Sequence, residues 1–298
     1  MMVPGSVPAA KQSIFLENYR KATGTSGRLF LFAGDQKVEH LNADFTGQGI
    51  SPESADPRHL FEIASKSRVG VFATQLGLVA RYGKEYPATR YVIKLNAKTN
   101  LVPMAQHEPM SHHWVTVDQV AAFAQSTGLD VVGVGMTVYL GSENESLMLA
   151  QAAQAVLQAH QHGLLAIIWM YPRGKAIKEE RSAAIIAGAA GVAVCLGADF
   201  VKVNPPDPEG GRSSAELFAQ AVKAAGNTKI LCSGGIARDK RTFLEEIYND
   251  IHVGGISGVA IGRNIHQKGL AEAIAFCDAI ASVVCDDSDM NTALSKLG

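Results

Sequence analysis

Two lysines and a tyrosine stand where short apolar runs would bury them. Lys202 lies in the run Asp199 to Val203, among Phe200, Val201 and Val203. Lys94 lies in the run Tyr91 to Leu95, and Tyr171 follows the run Leu164 to Met170, two residues after Trp169. Burial disfavours the ammonium form, so a lysine in such a place has a lowered pKa. The neutral amine that results is a nucleophile toward a carbonyl carbon. Lys94 would depress Lys202 further if the two heads approach, and otherwise positions substrate or serves structure. A structural ion pair of Lys202 with Asp35 or Glu39 is the competing reading, since such pairs also put charge inside proteins. A phenol such as Tyr171 in an apolar site can both give and take a proton.

Two glycine-containing segments suit an anion. Ser233, Gly234 and Gly235 follow one apolar run, and Gly262, Arg263 and Asn264 follow another. Ser233 offers a hydroxyl, Arg263 a charge-assisted contact, and the glycines let backbone N–H groups approach a phosphate. Tight turns alone would use the same glycines. The stretch His107 to Trp114 holds three histidines and Glu108. Its spacing matches no established ligand pattern, so no metal is expected and the loop is read as solvent-exposed or at the substrate's edge.

The elements that must position these residues follow a simple order. Eight apolar runs, Arg28 to Ala33, Gly70 to Thr74, Tyr91 to Leu95, Asp130 to Val134, Leu164 to Met170, Asp199 to Val203, Lys229 to Cys232 and Gly258 to Ile261, read as strands. Stretches with helical spacing separate most of them, including Ser146 to His160, Arg181 to Leu196, Ser213 to Ala225 and Lys240 to Asn249. Apolar strands alternating with helices imply a parallel sheet, and eight units in a chain of 298 residues imply a single-domain (β/α)8 TIM barrel over residues 1–298. The second unit is the weakest, because only a short segment separates Thr74 from Tyr91. A dinucleotide-binding open sheet is disfavoured, since Gly34-Asp35-Gln36-Lys37 stands where its fingerprint would be. Residues to about Gly27 are expected to form a helical extension on the barrel floor, and those after Cys285 to fray or to meet a neighbouring subunit.

In such barrels, chemistry sits at the carboxyl ends of the strands. Those ends carry Asp35, Lys94 with Asn96, Trp169 with Tyr171, Lys202, Ser233 and Arg263. Side chains alternate across a strand, so both lysines and Tyr171 share the inward face, while Leu95, Val201 and Val203 face the helices.

Composition narrows the partners. Lys plus Arg number 27 against 28 Asp plus Glu, without a basic tract, which argues against nucleic acid or a membrane surface. A small molecule is the expected partner. No apolar run nears the roughly 20 residues that span a bilayer, and Met1 to Ala10 lacks a signal pattern, so a cytoplasmic location is expected. Cys195, Cys232, Cys277 and Cys285 are scattered and read as buried, reduced thiols.

The stretches GDQKVEH (34–40), VIKLNAKTN (92–100), VGMTVYLGSENE (134–145), IIWMYPRGK (167–175), GADFVKVNPP (197–206), CSGG (232–235) and VAIGRNIHQ (259–267) resemble the archaeal-type class I fructose-bisphosphate aldolases. The resemblance spans nearly the whole chain and falls at strand ends. It implies that Lys202 is the Schiff-base lysine, that Tyr171 transfers protons, and that Asp35 and Trp169 stand beside them. It implies that Ser233, Gly234, Gly262 and Arg263 hold phosphate; Gly235 and Lys94 join the substrate-binding set from the reading of the residues above. No cofactor is implied, the partner is a phosphorylated ketose, and the assembly is a homo-oligomer, often a decamer. Relatives commonly carry Asp-His-Gly at the first strand end, whereas Gln36 and Lys37 follow Asp35 here. The wider family includes aldolases and a thiolase acting on other phosphorylated ketones, and a non-catalytic sugar-phosphate-binding barrel is the reading from outside enzymology.

Overall fold

The computed structural model describes residues 2–297. Eight parallel strands close into a barrel in sequence order, each paired with the next and the eighth with the first. They are β1 (Leu29–Ala33), β2 (Val71–Gln75), β3 (Tyr91–Lys94), β4 (Val131–Leu140), β5 (Leu165–Pro172), β6 (Phe200–Val203), β7 (Lys229–Ser233) and β8 (Gly258–Ile261). The helices begin with α1 (Gln12–Thr23) before the barrel, then α2 (Gln36–Glu39) and α3 (Pro57–Lys66) after β1. Next come α4 (Leu76–Tyr82), α5 (Val117–Thr127), α6 (Glu145–His162), α7 (Ala183–Cys195), α8 (Ser214–Ala225) and α9 (Lys240–His252), one after each of β2 to β7. After β8 come α10 (Arg263–His266), α11 (Leu270–Val284) and α12 (Met290–Leu294).

Local chemistry sets the helix ends. Thr116 with Gln119 and Ser213 with Glu216 form capping boxes that satisfy the first amides of α5 and α8. Gly128 and Gly163 take the left-handed conformation that closes α5 and α6.

Alternation along the strands builds two cores. Inside the barrel lie Leu29, Leu31, Val71, Ala73, Val92, Val132, Leu165, Ile167, Phe200 and Leu231. Between strands and helices lie Ile93, Leu95, Val134, Ile168, Val201 and Val203 with the apolar helix faces. The inward and outward assignment read from the sequence therefore holds at Leu95, Val201 and Val203. The floor is closed by Val7, Phe15, Tyr19 and Ala22, and the Tyr19 ring stacks on Phe200. The barrel closes tightly where β8 meets β1. A Cβ on Gly258 would overlap the backbone of Leu29, so only glycine fits.

Several boundaries differ from the sequence reading. β4 continues past Val134 to Leu140, because Gly133 and Gly135 make room within the strand instead of breaking it. The short second unit holds α4 and a 3-10 turn, Gly83–Glu85. The helix after β7 starts at Lys240 as read but runs on to His252, and α10 is a single turn. Residues after Cys285 neither fray nor lack a partner in their own chain: Asp289 caps α12, and Ala293 is fully buried in the main core. Cys195 is exposed and Cys285 partly so, while Cys232 and Cys277 are buried as expected.

Candidate active site

The two inward lysines end up with different partners. Register pairs Lys94 with Gly135, and Trp169 with Lys202, so both amines flank the same indole. Lys94 Nζ lies 3.9 Å and Lys202 Nζ 5.5 Å from the centroid of the Trp169 ring. A Cβ at position 135 would collide with that ring, so Gly135 is what lets the indole lie across the barrel. Lys94 Nζ donates to Thr137 Oγ1 at 2.6 Å and lies 3.2 Å from Asp35 Oδ2. With the indole face, those contacts can occupy all three of its N–H donors. Thr137 is itself fixed, since its N–H donates to Asn96 Oδ1 and its carbonyl accepts from Asn96 Nδ2.

Lys202 has no ion pair or hydrogen bond among the described residues, though it is only 5% exposed. Burial, with help from the Lys94 and Arg263 charges, pushes its pKa down to about 8, against the opposing pull of Asp35 and Glu39. The ion pair considered for Lys202 is instead made by Lys94. Burial raises the Asp35 carboxyl, but the Lys94 and Lys202 charges outweigh it and hold Asp35 below its ordinary value.

These groups open onto a cavity of about 250 Å³ at the barrel mouth, lined by Asp35, Trp169, Tyr171, Lys202, Ser233 and Arg263 among others. Burial and the nearby carboxyls of Glu39 and Asp35 hold the Tyr171 phenol well above its ordinary value, so it is a proton donor at rest. Burial, then the Asp35 charge, also raises Glu39. Trp169 Nε1 is buried without a partner, a donor left for an oxygen in the cavity.

Gly234, Gly235 and Gly262 line the same cavity. Ser233 Oγ donates to Asn204 Oδ1 at 2.8 Å. Asn264 ties the two loops together, donating from Nδ2 to the carbonyl of Gly234 at 2.9 Å. Arg263 Nε stands 3.7 Å from Asp44 Oδ2, which also meets His40 at 2.7 Å, so its guanidinium is aimed but not consumed. Gln36 faces the cavity against Gly262, whereas Lys37 turns away to the carbonyl of Ala55 and the Phe45 ring. The departure at these two positions thus reaches the cavity only through Gln36. His112 and His113 are taken up by Gln151 and the Met136 sulfur. Among the described residues no three His, Cys, Asp or Glu side chains are grouped to hold a metal.

Sequence reading missed Thr137, Glu39 as a cavity group, Asn100, Arg173 and Asn204. Thr137 had a signal available, its even spacing from Gly135 along an inward face, but a β4 that ends at Val134 does not reach it.

A parallel eight-stranded barrel with a desolvated, unpaired amine at its mouth has the makings of an imine-forming enzyme, and the relatives below make the class a carbon–carbon lyase. Comparisons give the family. Residues 29–268 match the model for the DeoC/LacD family aldolases, and the chain belongs to that family. A Methanocaldococcus jannaschii protein described as a fructose-bisphosphate aldolase/6-deoxy-5-ketofructose 1-phosphate synthase is 48% identical over 98% of this chain and 93% of its own. The class 1 fructose-bisphosphate aldolase of Halobacterium salinarum is 33% identical over 91% of this chain and 95% of its own. Among solved structures, a fructose-bisphosphate aldolase from Slackia heliotrinireducens superposes with a TM-score of 0.98 at 49% identity, covering 100% of this chain and 93% of that one. An archaeal fructose-1,6-bisphosphate aldolase, with its catalytic lysine bound to the carbinolamine intermediate, gives 0.76 at 29% identity, over 91% of this chain and 99% of that one. No helix among the described residues is long and apolar enough to cross a membrane.

Proposed function

We propose that the chain reversibly cleaves fructose 1,6-bisphosphate to dihydroxyacetone phosphate and glyceraldehyde 3-phosphate, with Lys202 forming the imine. The observation that carries this reading is the contrast between the lysines: Lys94 has a hydrogen bond to Thr137 and an ion pair with Asp35, whereas Lys202 has neither kind of partner among the described residues. The names of the relatives support the substrate. Neutral Lys202 adds to the C2 carbonyl, and water leaves to give an iminium. The C3–C4 bond then breaks, its electrons passing into the iminium while a base takes the C4 hydroxyl proton. Tyr171 gives its proton to the departing water, and the phenolate so formed takes the C4 hydroxyl proton and returns it to C3 of the enamine. Hydrolysis frees the ketose phosphate and the amine. Asp35, held ionised by Lys94, faces the iminium charge, and the Trp169 N–H is free to hold a substrate oxygen. Ser233, Gly234, Gly235, Gly262 and Arg263 hold the C1 phosphate, with Lys94 fixing Asp35 from behind. We extend this to a homo-oligomer, on the family resemblance alone, and to a cytoplasmic location, on the sequence pattern alone.

The direct test is borohydride reduction in the presence of dihydroxyacetone phosphate, followed by peptide mapping. A label on Lys202 with matching loss of activity is expected. A label on Lys94, or none, would overturn the assignment. The rate of imine formation should also rise with pH through about 8, because the reactive species is the neutral amine and lies above that pKa. A profile that is flat between about pH 6.5 and 9.5 would mean that Lys202 is not what titrates.

Arg263→Ala should raise KM for the bisphosphate on the order of 10- to 100-fold, the worth of one charge-assisted hydrogen bond, and change kcat far less. An unphosphorylated ketose should hardly feel the change. Equal losses on both substrates would make Arg263 a structural residue.

A second reading has its own support in the jannaschii relative, whose described product keeps the C1 phosphate but has no oxygen at C6. The same Lys202 enamine would then add to a three-carbon aldehyde without a phosphate. Product analysis with phosphorylated and unphosphorylated acceptors separates the two.

A further inference from the structure

A second cavity lies outside the barrel wall, between β7 and β8 on one side and α8 and α9 on the other. At about 530 Å³ it is larger than the 250 Å³ cavity at the mouth. Its lining includes the apolar Phe243, Ile247 and Val259 together with Asp250, Arg238 and Glu246. The volume is in the range of small-molecule sites, and a mainly apolar lining with a few polar groups is their usual character.

Asp250 is the group that asks for a ligand. Its carboxyl is 7% exposed and has no ion pair among the described residues. Arg238 is already gripped by both oxygens of Glu246, at 2.8 and 2.6 Å. The Cys232 thiol beside Asp250 has one proton, and the Ser233 carbonyl oxygen, 3.4 Å from that sulfur, competes for it. A buried carboxylate without a cation is costly, and the structure answers with a raised pKa of about 7, caused by burial first and then opposed by the thiol, raised again by Glu246 and lowered by Arg238.

We propose that this cavity is a second small-molecule site that takes an amphipathic primary ammonium compound. Its apolar body lies against Phe243, Ile247 and Val259, and its ammonium donates to the Asp250 carboxylate. An ammonium supplies the missing charge and up to three donors. A neutral alcohol gains only the apolar contact, and an anion meets Asp250 and Glu246. Occupancy of this cavity is independent of which sugar phosphate is cleaved at the barrel mouth. Ser233 and Gly234 border both cavities, so an occupant would press on the back of the segment proposed to hold phosphate.

The test uses the full chain without substrate at pH 8, where the Asp250 carboxyl is ionised, and three probes of one shape: 2-phenylethylamine, 2-phenylethanol and 3-phenylpropionate. Calorimetric titration is expected to show binding of the amine, at least tenfold tighter than either of the others. Asp250→Asn should weaken the amine by on the order of 10- to 100-fold, as expected for losing a charge-assisted contact. Val253 is 53% exposed at the rim, so Val253→Trp can narrow the opening without touching the core, and should weaken the amine as well. Equal binding of the alcohol, tighter binding of the carboxylate, no binding of the amine, or amine binding unchanged in both variants would each overturn the proposal.

Discussion

Lys202→Met is expected to abolish cleavage, lowering kcat by about 10⁴- to 10⁶-fold, the scale seen when a covalent nucleophile is removed. No neighbour can replace it. Lys94 is 1% exposed and is held by Thr137, Asp35 and the indole, so its amine is not free to reach a carbonyl. The same substitution should leave the fold as stable as before, or more so. A lysine whose folded pKa is depressed from 10.5 to about 8 disfavours folding below the lower value, and the penalty fades as pH rises from 8 toward 10.5. At pH 7 the penalty is roughly 3 kcal/mol at most, since each tenfold loss of proton affinity on folding costs about 1.4 kcal/mol. Methionine removes it while keeping the volume. The expected signature is therefore a dead enzyme with an unfolding midpoint at or above that of the parent. Retained turnover would dismiss Lys202 as the nucleophile. A dead and destabilised protein would show instead that Lys202 holds the barrel together.

Tyr171→Phe should lose about 10²- to 10⁴-fold in aldol cleavage, the usual worth of a positioned acid–base group, while still forming an adduct that borohydride traps at Lys202. Tyr171 shares the inward face of β5 with Trp169 and lines the mouth cavity beside Lys202. Its raised pKa keeps the phenol protonated at rest, so it can take the C4 hydroxyl proton only after it has given its own to the departing water. Phenylalanine keeps the ring and removes the hydroxyl alone. Loss of water from the carbinolamine also needs an acid, so some fall in imine formation is expected, and the ratio of trapped adduct to turnover is the quantity to measure. Cleavage at near the parental rate would reduce Tyr171 to packing, and Asp35 or Glu39 would be next in line as the proton carrier.

The order of strands and helices was legible because the apolar runs are short, β-branched and separated by helical spacing, and because parity within β6 set Lys202 inward and Val201 and Val203 outward. Gly133 and Gly135 defeated the reading of β4. Glycine ordinarily weakens a strand, and nothing local reveals that the ring of Trp169, 34 residues away by number (169 less 135), needs the space. With β4 cut short, Thr137 was lost, and with it the reason that Lys94 rather than Lys202 pairs with Asp35. Which of two buried lysines is neutral depends on partners brought from β1, β4 and β5, and pattern within a single strand does not encode that. Arg173 and Asn204 were missed for a similar reason: each lies just beyond a strand, where the path of the chain decides what a side chain meets.

The placement of Trp169 between the two amines also makes the molecule its own indicator. The sequence holds 2 tryptophans, and they are opposites: Trp114 is 53% exposed and Trp169 is 1% exposed. Iodide or acrylamide reaches the first and silences its emission, leaving a blue-shifted signal from the second. That signal comes from an indole with two lysine amines near its ring, Lys94 at 3.9 Å and Lys202 at 5.5 Å, and on the proposed assignment the second changes charge and substituent each time an imine forms or is hydrolysed. Stopped-flow emission with Trp114 quenched would follow the covalent cycle in real time, with no label attached.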